Sequence, residues 1–157
     1  MIVDARELCV GDLKGQCRAL CIDYGDRRVG IAISDIDWII ASPLVVLESH
    51  GVYQKLLRLI DEYVVGVVVV GLPKALNGGC AGKQLEKVHK FVAKLDELKH
   101  DLVVVFWDER QSTNGAIRIL ERAEEAKSKY KAMIDKVAAS FILEGFLQHC
   151  YRKHSVN

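Results

Sequence analysis

Leu20-Cys21-Ile22-Asp23-Tyr24-Gly25-Asp26-Arg27-Arg28-Val29-Gly30-Ile31-Ala32-Ile33-Ser34-Asp35 is the stretch that decides the fold. An apolar run ends in a carboxylate, turns through a glycine and two arginines, and resumes as a second apolar run. Two such runs across a short turn rich in Gly and charge predict a hairpin of residues 19–23 and 29–34. The first strand expels Asp23 at its end, where solvent and ligands can reach it. A carboxylate there has to be solvated, paired or bound to a cation. A strand-ending Asp that caps a turn is the plainer alternative.

Downstream, residues 38–47 are apolar and β-branched, and Pro43 interrupts them, which predicts a third strand at a sheet edge. The pattern then changes period. Tyr53, Leu56, Leu57, Ile60, Tyr63 and Val64 recur at three- and four-residue spacing, as on an amphipathic helix. Residues 65–71 are continuous and β-branched, the signature of a strand buried on both faces. Residues 72–79 read as a loop. Leu85, Val88, Phe91, Val92, Leu95 and Leu98 mark a second helix over about 82–99. A fifth strand, 102–107, ends in Asp108-Glu109-Arg110. Ser112 or Thr113 can cap a helix carrying Ala116, Ile117 and Leu120. A charged stretch, 121–131, leads into a last helix over about 133–151. Residues 1–17 read as a loosely ordered lead-in. The order β-β-β-α-β-α-β-α-α predicts an α/β layer fold with one five-stranded mixed sheet and right-handed crossovers around strands four and five.

The bulk numbers agree with one domain over residues 1–157. Half of the 157 residues are hydrophobic and 27% are charged, without a Pro-, Gly- or Ser-rich linker. A net charge of +1 gives no global attraction for nucleic acid, so any such surface has to be a local patch. Cys9, Cys17, Cys21, Cys80 and Cys150 are odd in number and lack C-x-x-C spacing, which reads as reduced thiols in a cytoplasmic protein. The longest apolar run is too short to span a bilayer, so no membrane partner is expected.

Ligands of such sheets bind beyond the carboxyl ends of the parallel strands. Asp23, Gly71-Leu72-Pro73 and Asp108-Glu109 stand at those ends. The last helix adds Asp135, with Ala138, Ala139 and Ile142 at i+3, i+4 and i+7, on the face turned to the core. Three carboxylates from three distant segments repel one another unless cations lie between them. Asp23, Asp108 and Asp135 are the expected catalytic and metal-binding set, suited to two Mg2+ or Mn2+ ions and phosphodiester hydrolysis. Adjacent strand residues face opposite sides, so one of the pair faces the site; Asp108 is favoured, with Glu109 as the alternative acid. Arg27, Arg28 and Arg110 beside the acids suit phosphate contacts or, at rest, neutralise them. Lys127, Lys129, Lys131 and Lys136, and Lys83, Lys87 and Lys90 along one helix side, read first as solvated faces. His89 and His149 read as structural, and Tyr24 as packing.

Asp23-Tyr24-Gly25-x-Arg27-Arg28-Val29-Gly30, then Gly71-Leu72-Pro73 with Gly78, then Asp108-Glu109-Arg110 with Ser112-Thr113, then Asp135 with Ala138-Ala139 and Ile142-Leu143 resemble the YqgF family. These are RNase H-like proteins related to Holliday junction resolvases and regarded as pre-16S rRNA nucleases. The resemblance spans about residues 19–150. It implies an RNase H-like sheet with helices on both faces and strand one central. It also implies a nuclease acting on an rRNA precursor during ribosome biogenesis, and its acidic positions fall on Asp23, Asp108 with Glu109, and Asp135. After Pro73 the family continues Leu-Asn, with an Asp before its glycine. Here Lys74-Ala75 and Asn77 stand instead, so the role of that loop is open. A resolvase acting on branched DNA and a non-catalytic nucleic-acid-binding assembly factor are the alternatives, and monomer and homodimer both remain open. An actin- or sugar-kinase-type phosphate-binding domain also opens on an Asp-x-Gly hairpin, but it requires a second lobe and a longer chain.

Overall fold

The computed structural model describes residues 2–4, 13–72, 80–108 and 131–154. Apolar, β-branched runs supply β1 (Ile2–Asp4), β2 (Arg18–Tyr24), β3 (Arg28–Ser34), β4 (Ala41–Glu48), β5 (Val65–Leu72) and β6 (Val103–Asp108). Helical periodicity supplies α1 (Val52–Glu62), α2 (Cys80–Leu98) and α3 (Lys131–His154). The sheet order is β1-β6-β5-β2-β3-β4. β2, β5, β6 and β1 run parallel, while β2–β3 and β3–β4 are antiparallel. All five expected strands are present, and β2 is internal, as the resemblance implies. Pro43 lies in the edge strand β4, opposite a register shift between Ile31 and Ala32.

Two local differences from the sequence reading have simple causes. Residues 2–4 of the lead-in add a sixth, short strand, because β6 offers an otherwise unpaired edge. Trp38 precedes β4 instead of opening it. Its φ is +59°, the ring is buried, and its indole N–H donates to the Cys17 carbonyl at 2.9 Å. The Asp35 carboxylate accepts the next two backbone N–H groups, of Ile39 and Ile40, and closes this turn. The expected helix around Ala116–Leu120 lies outside the described residues.

Alternation splits the core into two layers. Leu20, Ile22, Val68, Val70 and Val104 pack with Leu56 and Ile60 of α1 and with Val88, Phe91 and Leu95 of α2. Ala19, Cys21, Val67, Val69, Val105 and Trp107 face the other way, against Ala139, Ile142, Leu143, Phe146 and Cys150 of α3. The helices therefore cover both faces. Gly66 serves this second layer: a Cβ there would lie 2.5 Å from the Cys17 sulfur. Burial pushes the Cys17 thiol above its usual range, offset in part by a backbone hydrogen bond from Gly66, so it stays an uncharged packing group. Among the described residues no helix is long and apolar enough to cross a membrane.

Val64 joins α1 to β5 with a φ of +53°, and its side chain is 62% exposed. A β-branched residue is strained in this left-handed conformation, where helices normally place glycine. Because little packing is lost, Val64→Gly is expected to stabilise the protein by about 1 kcal/mol. That corresponds to a rise in Tm of about 2–4 °C for a chain of this size, checked by thermal melting.

Candidate active site

The parallel strands β2, β5 and β6 bring their carboxyl ends to one edge of the sheet. Leu72 pairs with Asp108, Gly71 with Trp107, and Val70 with both Phe106 and Ile22. Asp23 therefore falls in the next row, level with Gly71 and Trp107, and is half-buried. Asp108 stands one row further out on β6, also half-buried. One strand lies between the two acids, so their backbones are roughly 10 Å apart. Buried Gly71 carries no side chain into the gap between them.

Alternation also assigns faces. Asp23 continues the line of Ala19 and Cys21, on the α3 side of the sheet. Asp108 continues the line of Val104 and Phe106, on the side of α1 and α2. Glu109 and Arg110 lie outside the described residues. Asp135 lies near the start of α3, but its side chain is outside the described residues. Ala139, Ile142, Leu143 and Phe146, at i+4, i+7, i+8 and i+11 from it, are all buried against the sheet. Among the described residues no group of three or more His, Cys, Asp or Glu side chains is assembled for a metal.

The hairpin tip is the better-defined wall of this edge. Gly25 donates its N–H to the Arg28 carbonyl at 2.9 Å, and a Cβ on Gly25 would meet that oxygen at 2.7 Å. Only glycine allows so close a closure. Arg27 is exposed at the tip, and Arg28 opens β3 half-buried. Three residues that sequence reasoning did not assign to this edge hold the tip in place. Ser49, just after β4, donates its hydroxyl to the Gly25 carbonyl at 2.8 Å and its N–H to the Arg27 carbonyl at 3.1 Å. From α2, Gln84 donates to the Tyr24 carbonyl at 3.2 Å, and Lys87 pairs with Asp26 at 2.6 Å. These partners are 22 to 61 positions apart in sequence, so no local pattern could announce them. Tyr24 packs on Phe91 with ring centroids 4.6 Å apart, and Phe91 stacks on Tyr53 at 5.2 Å. His89 leans on Phe106 at 4.8 Å and His149 on Trp107 at 5.3 Å, in keeping with packing roles.

A parallel core extended by an antiparallel hairpin and edge strand, with acids at the carboxyl edge and helices on both faces, defines an RNase H-like, resolvase-type fold. Thermus thermophilus RuvC, solved in complex with a Holliday junction substrate, superposes with a TM-score of 0.57 at 13% identity, over 85% of this chain and 96% of RuvC. A profile of the RuvX family, described as Holliday junction resolvase, matches residues 17–149. The chain belongs to this family. A protein of Thermoanaerobacter pseudethanolicus named "Putative pre-16S rRNA nuclease" is 39% identical, over 83% of this chain and 95% of its own length. A protein of Caldanaerobacter subterraneus subsp. tengcongensis with the same name is 41% identical over the same shares. The YqgF-type resemblance read from the motifs is thus the correct one.

Proposed function

We propose that this protein is a divalent-metal-dependent endonuclease that hydrolyses phosphodiester bonds in structured RNA, with an rRNA precursor as its substrate. The reading takes residues 1–157 as one nuclease domain working in the cytoplasm. The observation that carries it is Asp23 at the carboxyl end of an internal strand, on the same sheet edge as Asp108, which closes β6. The names of the relatives at about 40% identity support RNA. The family description supports a second substrate, branched DNA.

The donor set is chemically apt, because carboxylate oxygens are the usual ligands of Mg2+ and Mn2+. Two such ions, when bound, would supply an activated water and charge stabilisation for the leaving oxygen. In this reading Asp23 and Asp135 hold ions from the α3 side of the sheet. Arg27, Arg28 and Arg110 take the scissile and flanking phosphates, with the planar guanidinium fork matching two oxygens at once. Of the two acids Asp108 and Glu109, this reading takes Glu109, since Asp108 shares the line of Val104 and Phe106, away from α3. Glu109→Gln is therefore expected to lower single-turnover cleavage by about a hundredfold or more. Asp108→Asn should cost less than about tenfold. The reverse ranking would restore Asp108 to the site.

The deciding experiment incubates purified protein with Mg2+ or Mn2+ and labelled rRNA precursor, four-way junction DNA and single strands. Preferential cleavage of the precursor supports the reading. Preferential cleavage of the junction supports the resolvase reading. Binding without cleavage of any substrate would instead make the protein a nucleic-acid-binding assembly factor.

A further inference from the structure

The outer flank of α2 carries Lys83, Lys87, Lys90 and Lys94. Their spacing of four, three and four residues aligns them on one helix face. All four are exposed, and the stripe is about 16 Å long at 1.5 Å per residue. The opposite face of α2, through Val88, Phe91, Val92 and Leu95, is buried in the core, so the stripe cannot rotate away. Its first turn is tied to the hairpin tip by the Lys87–Asp26 pair and the Gln84–Tyr24 hydrogen bond. The stripe therefore starts beside the hairpin tip, at Tyr24 and Asp26, and runs away from it along the α2 face of the sheet.

Three acids lie along this path. Asp26 pairs with Lys87, Glu86 with Lys90 at 2.7 Å and Glu97 with Lys94 at 3.0 Å. In each pair both side chains are at least half exposed. Such pairs hold weakly in water, so a phosphate can displace the carboxylate at little cost. A nucleic-acid strand that crosses the hairpin tip offers a row of phosphates, and a row of cations leading from that tip would capture it by releasing its counterions.

We propose that the Lys83–Lys87–Lys90–Lys94 stripe is the track on which the phosphate backbone of the substrate lies as it leaves the cleavage site. This rests on the nuclease reading above and adds the direction in which the substrate runs, over the α2 side of the hairpin. The Gln84–Tyr24 hydrogen bond keeps the start of the track beside the hairpin tip.

The test measures binding of full-length protein to labelled duplex RNA by fluorescence anisotropy in EDTA, across a range of salt concentrations. The variant combines Lys83→Gln, Lys90→Gln and Lys94→Gln and leaves Lys87, the lysine against the hairpin tip, unchanged. Weaker binding is expected, with the slope of log K against log salt shallower by about 2–3, close to 0.9 per lost contact. A control combining Lys14→Gln and Arg152→Gln, on the loop before β2 and on α3, should keep the wild-type slope. An unchanged slope in the triple variant, or an equal loss in the control, overturns the track. Wild-type protein that cleaves RNA while the triple variant keeps its slope would reject the track and leave the nuclease reading standing. Wild-type protein that neither binds nor cleaves nucleic acid would reject both.

Discussion

Asp23→Asn is expected to lower metal-dependent cleavage by about a thousandfold or more, with the melting temperature essentially unchanged. The amide has nearly the shape of the carboxylate but lacks its charge, so ion binding suffers while packing does not. A metal ion contributes several kcal/mol of transition-state stabilisation, and each 1.36 kcal/mol is tenfold in rate. Asp23 is half-buried at the end of β2 and outside the apolar core, so the hairpin has no packing reason to unravel. Single-turnover cleavage and a thermal melt on the same preparation read both halves of the prediction. Asp135→Asn should behave in the same way. Undiminished cleavage by either variant would remove that residue from the site.

Phe146→Ala is expected to destabilise the protein by about 3–5 kcal/mol, because it loses both transfer energy and cavity packing. Phe146 is fully buried on α3, with Trp107 edge-on at 5.7 Å and Trp38 at 6.1 Å. It thereby joins the helix to β6 and to the turn before β4. A domain with 5–15 kcal/mol of stability keeps little after such a loss. Urea unfolding would show it as a lower midpoint with an unchanged slope. Because Asp135 sits three turns upstream on α3, the variant should also lose cleavage at temperatures where the wild type is folded. A loss below about 1 kcal/mol would mean that other contacts hold α3 in place.

Much of this architecture is legible from local patterns. The run 65–71 could only be a buried strand, and the spacing of Val88, Phe91, Val92 and Leu95 could only bury one helix face. Pro43 pointed correctly to an edge strand. The left-handed residues Trp38 and Val64 were not legible, since neither is a residue type that favours that conformation. The strand Ile2–Asp4 is not legible either, because three residues carry no period, and pairing with the edge of β6 makes them a strand.

The candidate site divides along the same line. The residue types, the acids at the strand ends and the glycine-closed turn are local chemistry, and the sequence by itself determined them. It also offered Asp108 and Glu109 as alternatives, because a strand period of two sends adjacent residues to opposite sides. Which side is which depends on where α3 packs, and that is a contact between segments far apart in the chain. The tertiary structure alone put Cys21, Val105 and Trp107 under α3 and left Asp108 in line with Phe106 on the other face. It alone brought Ser49, Gln84 and Lys87 onto the hairpin tip. The physical reason is the same in both cases. Periodicity fixes relative orientation within an element, whereas phase and partner are set by burial between elements, which no local stretch of chain encodes.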